Sequence, residues 1–261
     1  MHASSKIEGA ALALRAARLQ RRTTARVSEA YGIADADEAY AVARVNVDLG
    51  LSRGRRISGK KVGLTSKSIQ RQLGVDEPNY GFLFSDMELL DAQVLDTSGL
   101  IHPRAEGEVA FIIGRDLTDA DLTWARLLRG IEYLLPAIEI VDCTIDDWKI
   151  TLVDSIADNV SCANYVLGHE PRRLGDMSLA GLSMDFRRNG QTASSGTGAD
   201  CMSNPLLAVY WLARKVAARG DPLKAGDVVM SGALGPMFPF QAGDRLDMEI
   251  TGLGKVGINA T

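Results

Sequence analysis

The stretch Arg104-Ala105-Glu106-Gly107-Glu108-Val109-Ala110-Phe111-Ile112-Ile113 sets two carboxylates two residues apart among apolar neighbours. In a strand, alternate side chains share a face, so Glu106 and Glu108 point the same way, their Cα atoms roughly 6.5–7 Å apart. Val109 and Phe111 then face the other way, into a core. Two crowded carboxylates repel each other, and each resists leaving water. A divalent cation between them removes both penalties, and hard cations such as Mg²⁺ or Mn²⁺ take oxygen ligands. Glu139 interrupts the otherwise apolar run Ala137-Ile138-Glu139-Ile140-Val141 and offers a third donor. A buried glutamate is costly unless it finds a partner or a metal. The competing reading is a solvated strand face for Glu106 and Glu108, with an arginine paired to Glu139.

A second chemical group is Gly59-Lys60-Lys61-Val62-Gly63. Its glycines let the backbone pass close to a ligand. A lysine near a divalent ion has its pKa pushed down by like charge, which suits proton transfer. Against this, the two lysines could simply end the basic run of Arg53, Arg55 and Arg56. The spacing is not that of a phosphate-binding P-loop. Asp158-Asn159-Val160-Ser161 carries polar atoms able to bind a carboxylate or carbonyl, or to make an Asx turn. Ser231-Gly232-Ala233-Leu234-Gly235-Pro236 places a serine on a flexible loop, again readable as a simple turn. Ser231 lacks a GxSxG frame, and His2, His102 and His169 are too few for a convincing triad. Gly252-Leu253-Gly254 reads as a turn or bulge.

These groups need strands to hold them. Glu106 to Ile113 and Ala137 to Val141 read as strands, separated by a helix that opens at Thr118-x-x-Asp121, runs through Tyr133 and stops at Pro136. Asp147-Trp148-Lys149-Ile150 reads as a charged strand. Asn189-Gly190 predicts a tight hairpin within 181–193. Asn204-Pro205 predicts a helix start, with the helix running to Gly220. Asp227 to Ser231 and Arg245 to Ile250 complete the strands. Ahead of them, Ser5-x-x-Glu8 and Asp35-x-x-Glu38 signal two helix starts. A boundary near residue 57 divides a helical region, 1–57, from a strand-rich region, 58–261. Strand-helix-strand units do not repeat, so the class is α+β rather than a doubly wound sheet.

Composition narrows the partners. The 261 residues carry 29 Lys and Arg against 33 Asp and Glu, a net charge of -4. An acidic balance without a basic block argues against nucleic acid and anionic membrane, and no run approaches the length of a membrane span. Cys143, Cys162 and Cys201 form no CxxC pair, which disfavours a disulfide framework or thiolate zinc site. With no apolar leader, a cytoplasmic setting is expected. Histidines are so few that any metal must be held by carboxylates.

Several ordered motifs go further: Gly59 to Ser66 (GKKVGLTS), Gln72 to Gly81 (QLGVDEPNYG), Pro103 to Ile113 (PRAEGEVAFII) and Leu135 to Asp142 (LPAIEIVD). They continue with Asp147 to Ile150 (DWKI), Ile156 to Ser161 (IADNVS) and Ser231 to Met237 (SGALGPM). The set resembles the hydratase/decarboxylase branch of the fumarylacetoacetate hydrolase superfamily, nearest its 2-keto-4-pentenoate (2-hydroxypentadienoate) hydratases. It covers nearly the whole chain. The resemblance implies a mixed, barrel-like β-roll with a small helical N-terminal region, and Mg²⁺ or Mn²⁺ held by Glu106, Glu108 and Glu139. It assigns the GxKxG lysine to Lys61 rather than Lys60, and substrate binding to Leu64, Ser161, Ser231 and Gly232. It also implies a homo-oligomer that hydrates a small 2-hydroxy-2,4-dienoate in aromatic meta-cleavage catabolism.

One position departs from the pattern. Hydratases of this branch usually carry an acid where this chain has Asn79, in Pro78-Asn79-Tyr80-Gly81. An amide can orient a water or a substrate oxygen but cannot act as a base. The related 4-oxalocrotonate decarboxylases also lack that acid, so decarboxylation is the second expectation. An inactive assembly subunit of the same fold is the third.

Overall fold

The computed structural model describes residues 3–67, 70–71 and 74–261. His2, and Gln72 and Leu73 of the second motif, lie outside the described residues. Three helices come first: α1 (Ala3–Gln20), α2 (Val27–Ala30) and α3 (Ala36–Ser52). Asp35 caps α3 as its spacing predicts, accepting from Glu38 N at 2.9 Å. α1 begins at Ala3, ahead of the Ser5 signal.

Strands follow in chain order: β1 (Ile57–Gly63), β2 (Asn79–Phe84), β3 (Glu88–Leu90), β4 (Val94–Leu95) and β5 (Pro103–Ile113). Helix α4 (Trp124–Gly130) leads into β6 (Ile131–Asp142). Helix α5 (Leu152–Ala157) precedes β7 (Cys162–Leu167), and β8 (Ser183–Arg188) and β9 (Gln191–Thr197) form a hairpin. Helix α6 (Pro205–Ala218) is followed by β10 (Val228–Met230), β11 (Phe238–Pro239), β12 (Arg245–Ile250) and β13 (Gly254–Ala260).

Two mixed sheets result. One runs β2-β1-β10-β5-β6-β7-β3, with β11 added on β5; the other runs β4-β13-β12-β8-β9. The larger sheet curls, because Ser58 on β1 reaches across to Tyr165 on β7. The Ser58 hydroxyl donates to Tyr165 Oη at 2.8 Å, and Tyr165 in turn donates to Glu88 on β3 at 2.8 Å. A continuous apolar core runs from α1 and α3 through both sheets. A smaller cluster, including Leu83, Ala110, Ala137 and Met230, lines the inside of the curl.

The hairpin and the Asn204 helix start stand where expected. Asn189 and Gly190 adopt φ of 54° and 80°, and Asn204 caps α6 through Leu206 N. Two expectations need correction. The helix after Thr118 starts only at Trp124, capped by Thr123, and ends at Gly130; residues 131–133 already belong to β6. Pro136 therefore lies inside a strand instead of stopping a helix. Its carbonyl still accepts from Gly168 N at 2.9 Å, and because the ladder with β7 ends here, the ring nitrogen forfeits at most the one terminal bond. Asp147–Ile150 is not a strand, since Asp147 and Trp148 turn left-handed with φ of 53° and 57°.

Candidate active site

β5 and β6 pair antiparallel, with Glu106 directly opposite Glu139 and Glu108 opposite Ala137. Strand alternation places all three glutamates on the inner face of the curl. One carboxylate oxygen from each lies within 4.8 Å of the others. Glu108 and Glu139 are fully buried, and Glu106 is the most open of the three. Gly107 sits between the two β5 glutamates on the opposite face. There a Cβ would come within 2.2 Å of Met184 Sδ and 2.4 Å of Met248 Sδ. The second sheet thus presses close against β5, and a side chain at 107 would require both methionines to shift.

Lys61 reaches this group from β1. Its Nζ lies 3.0 Å from Glu139 Oε2 and 3.4 Å from the carbonyl oxygen of Val160. Lys60, one residue earlier, points to the other face, where its Nζ lies 3.6 Å from Asp221 and above the Phe82 ring. The basic-surface reading of the two lysines is set aside, since both are buried. So is the solvated-face reading of Glu108, and the partner of Glu139 is a lysine.

Charge crowding shows in the proton affinities. Burial pushes Glu106 up to about 7, against the pull of Lys61, and Glu139 adds to the rise. Burial and Glu139 lift Glu108 well above the usual carboxylate range. Burial disfavours the charge on Lys61, yet Glu139, Glu106 and Glu108 outweigh it and hold the ammonium above its ordinary value. Glu108 Oε2 accepts from Gly232 N at 2.8 Å, whereas Glu108 Oε1 has no hydrogen-bond donor among the described residues. Among the described residues neither oxygen of Glu139 meets hydrogen-bond geometry, although Lys61 Nζ lies close as an ion pair. Buried oxygens without donors are costly, and an all-oxygen set of this kind fits a hard divalent cation.

Of the remaining predicted residues, Gly232 touches the centre through Glu108, and the others lie on neighbouring segments. Asn79 is buried at the start of β2; its Nδ2 donates to Ser155 Oγ at 3.1 Å, and its Oδ1 has no donor among the described residues. That oxygen packs against Gly63, where a Cβ would come within 2.4 Å of it. Ser231 accepts from Val109 N at 3.2 Å and donates to the Gly232 carbonyl at 2.9 Å. Its hydroxyl thereby ties the loop carrying Gly232 to β5. Gly232, at φ 97°, packs against Thr65. Leu64 is left-handed at φ 56°, and its carbonyl accepts from Gln70 Nε2 at 2.7 Å. Ser161 donates to Asp158 Oδ2 at 3.3 Å.

Some participants carry no clear sequence signal. Cys162 adjoins the centre, its thiol held well above the ordinary range by burial and by Glu139. Asn159 hydrogen-bonds β2 through both amide atoms, accepting from Phe82 N at 2.7 Å and donating to Phe82 O at 2.9 Å. In the sequence Asn159 reads only as part of a polar turn. The detectable clue was the Asp-Asn pair just ahead of a strand.

Comparison with known proteins agrees with this geometry. Residues 87–259 match the fumarylacetoacetate (FAA) hydrolase C-terminal family model. The chain is 47% identical over 249 residues to 2-keto-4-pentenoate hydratase 1 of Dechloromonas aromatica, covering 95% of each chain. It is 48% identical over 225 residues to the TodF product hydratase of Pseudomonas putida, covering 86% of this chain and 84% of that one. In three dimensions it overlays 4-oxalocrotonate decarboxylase of Pseudomonas putida, complexed with magnesium and adipate, with a TM-score of 0.94 at 28% identity. That overlay covers 99% of this chain and 98% of the other. Curled sheet, acidic centre and these likenesses agree: the chain belongs to the fumarylacetoacetate hydrolase family.

Proposed function

We propose that this protein is a divalent-metal-dependent hydro-lyase of aromatic meta-cleavage catabolism. It adds water to a 2-hydroxy-2,4-dienoate, the tautomer of a 2-oxo-4-enoate, by way of the conjugated 2-oxo-3-enoate, to give a 4-hydroxy-2-oxo acid. The observation that carries the reading is the buried Glu106, Glu108 and Glu139 group with donor-less oxygens beside Lys61. Relatives 47% and 48% identical that are hydratases by name support it.

On this reading the three glutamates hold Mg²⁺ or Mn²⁺. Such an ion would offset the crowded negative charge of the carboxylates and would supply Lewis-acid polarisation of a 2-oxo acid. Lys61 carries the proton that moves to the distal carbon as the dienol becomes the enone, its Nζ held in place by Glu139 and the Val160 carbonyl. Asn79 Oδ1, without a donor among the described residues, accepts a hydrogen bond from the attacking water and orients it; as the hydroxyl bonds C4, the water's proton passes through Lys61 to C3. Ser161 and Leu64 flank the bound acid, and Ser231 and Gly232 shape its seat while fixing Glu108. Residues 58–261 form the catalytic unit, and residues 1–57 form a helical region docked on it. The working enzyme is a cytoplasmic homo-oligomer acting on a small 2-oxo acid.

The test is loss of dienoate absorbance over a panel of 2-hydroxy-dienoates with Mg²⁺ or Mn²⁺. Wild type should turn over in a metal-dependent way, and Glu106→Gln should not. Full activity after chelator treatment would remove the metal from the mechanism. A second reading, decarboxylation of 4-oxalocrotonate, is favoured by Asn79 and by the close overlay on that decarboxylase. Release of CO₂ from 4-oxalocrotonate, with no hydration of the dienoates, would establish it instead.

A further inference from the structure

The segment that touches Lys61 has an unusual backbone. Asn159, Val160 and Ser161 adopt φ of 53°, 54° and 54°, three left-handed residues in a row without a glycine. This region is unfavourable for L residues, most of all for a β-branched one such as Val160. Such a turn persists only where its surroundings over-determine it. One restraint is the Asn159 amide on the edge of β2. The other is Asp158, whose buried carboxylate accepts from Thr144 N at 3.1 Å and from Ser161 Oγ at 3.3 Å.

Asp158 depends on a residue far away in sequence. Arg18, on α1, places its NH2 group 3.5 Å from Asp158 Oδ1. The same guanidinium donates to the Asp142 carbonyl at 2.7 Å and to Asp142 Oδ2 at 3.3 Å, at the end of β6. It therefore ties the strand carrying Glu139 to the turn carrying Val160. A buried carboxylate without that cation would tend to lose its charge, and with it the hydrogen bonds that shape the turn.

We propose that Arg18 is a positioning residue for the reaction: acting through Asp158, it holds the left-handed turn Asn159–Ser161 so that the Val160 carbonyl meets Lys61 at the glutamate centre. This rests on the hydratase reading for its catalytic consequence, though not for the clamp itself. A cavity of about 260 Å³ beside Arg18 makes the idea testable. It lies between α1, α3 and the turn; its walls include Leu14, Val47 and Phe84, and its floor Asp158 and Asn159. Removing the guanidinium leaves room for a small cation to enter from solution.

The experiment compares wild type with Arg18→Ala, Arg18→Lys and Asp158→Asn, the last keeping the side-chain shape if the alanine variant folds poorly. Each is measured for kcat and KM on a dienoate with Mg²⁺, for thermal unfolding, and for amide hydrogen exchange. Arg18→Ala should lower kcat by about a hundredfold, the scale of a misplaced catalytic group, and Arg18→Lys should lose less. Exchange should rise at 159–161 while the β5 and β6 amides stay protected. Millimolar guanidinium should restore kcat saturably in Arg18→Ala and leave wild type unchanged. Unchanged kcat, unchanged exchange at the turn, or activity that falls only with the folded fraction and resists rescue would overturn the proposal. If wild type turns over none of the dienoates, the hydratase reading falls, and the exchange result alone decides whether Arg18 holds the turn.

Discussion

At the scale of single residues, the acidic centre was legible because strand alternation is a strict geometric rule. Glu106 and Glu108 could be assigned to one face from their spacing; Glu139 stood out as a lone charge in an apolar run, and its place in the set, like that of Lys61, came from the family resemblance. What spacing could not give was proton affinity. Burial holds Glu106 at about 7, above its ordinary 4.5, and Glu108 higher than its usual range. The metal-free fold therefore keeps protons that the unfolded chain has released. The stabilisation from these groups is complete below the ordinary glutamate value and is lost as pH rises through the folded value. Metal-free protein should melt at progressively lower temperature from pH about 5 to about 8, and added Mg²⁺ should flatten that slope. A pH-independent melt of the metal-free protein would contradict the assignment. Asn79→Asp supplies a carboxyl beside Ser155 and Gly63, so it should raise the hydration rate with little change in KM, whereas Asn79→Ala should not. Steady-state kinetics on the best dienoate decides between them.

At the scale of elements, pattern succeeded where a side-chain signal was local and failed where tertiary packing overrode it. Asp35, Asn189-Gly190 and Asn204 marked their helix starts and hairpin because each acts through its own backbone neighbours. Pro136 misled because its cost depends on whether a neighbouring strand demands an N–H, which no window of sequence reports. Asp147 and Trp148 misled because left-handed non-glycine residues are rare and depend on distant contacts. Close approach of the two sheets is likewise invisible until they are stacked. Gly107→Ala drives a methyl into two methionine sulfurs. It should destabilise the fold by about 1–3 kcal/mol, the usual toll of overpacking, and should also weaken metal binding by displacing both flanking glutamates. Denaturant unfolding and metal titration measure the two effects separately.

At the scale of the molecule, the curl of the large sheet gathers β1, β5 and β6 around one centre. The sequence indicated an α+β roll through its motifs, but not what draws its edges together. Ser58, Tyr165 and Glu88 supply that link by side-chain hydrogen bonds rather than by strand pairing. Tyr165→Phe removes both bonds and leaves the ring in place. It should cost about 1–2 kcal/mol of stability, read by denaturant unfolding, with kcat affected far less than by Arg18→Ala.

The reach of Arg18 also bears on how short a working version of this protein can be. A chain begun at Ile57 would retain every carboxylate, amine and amide proposed to face the substrate, and yet would lack the guanidinium that ties β6 to Asp158. Its chemistry would be intact on paper and slack in practice, so residues far from the reacting atoms set the lower limit on length.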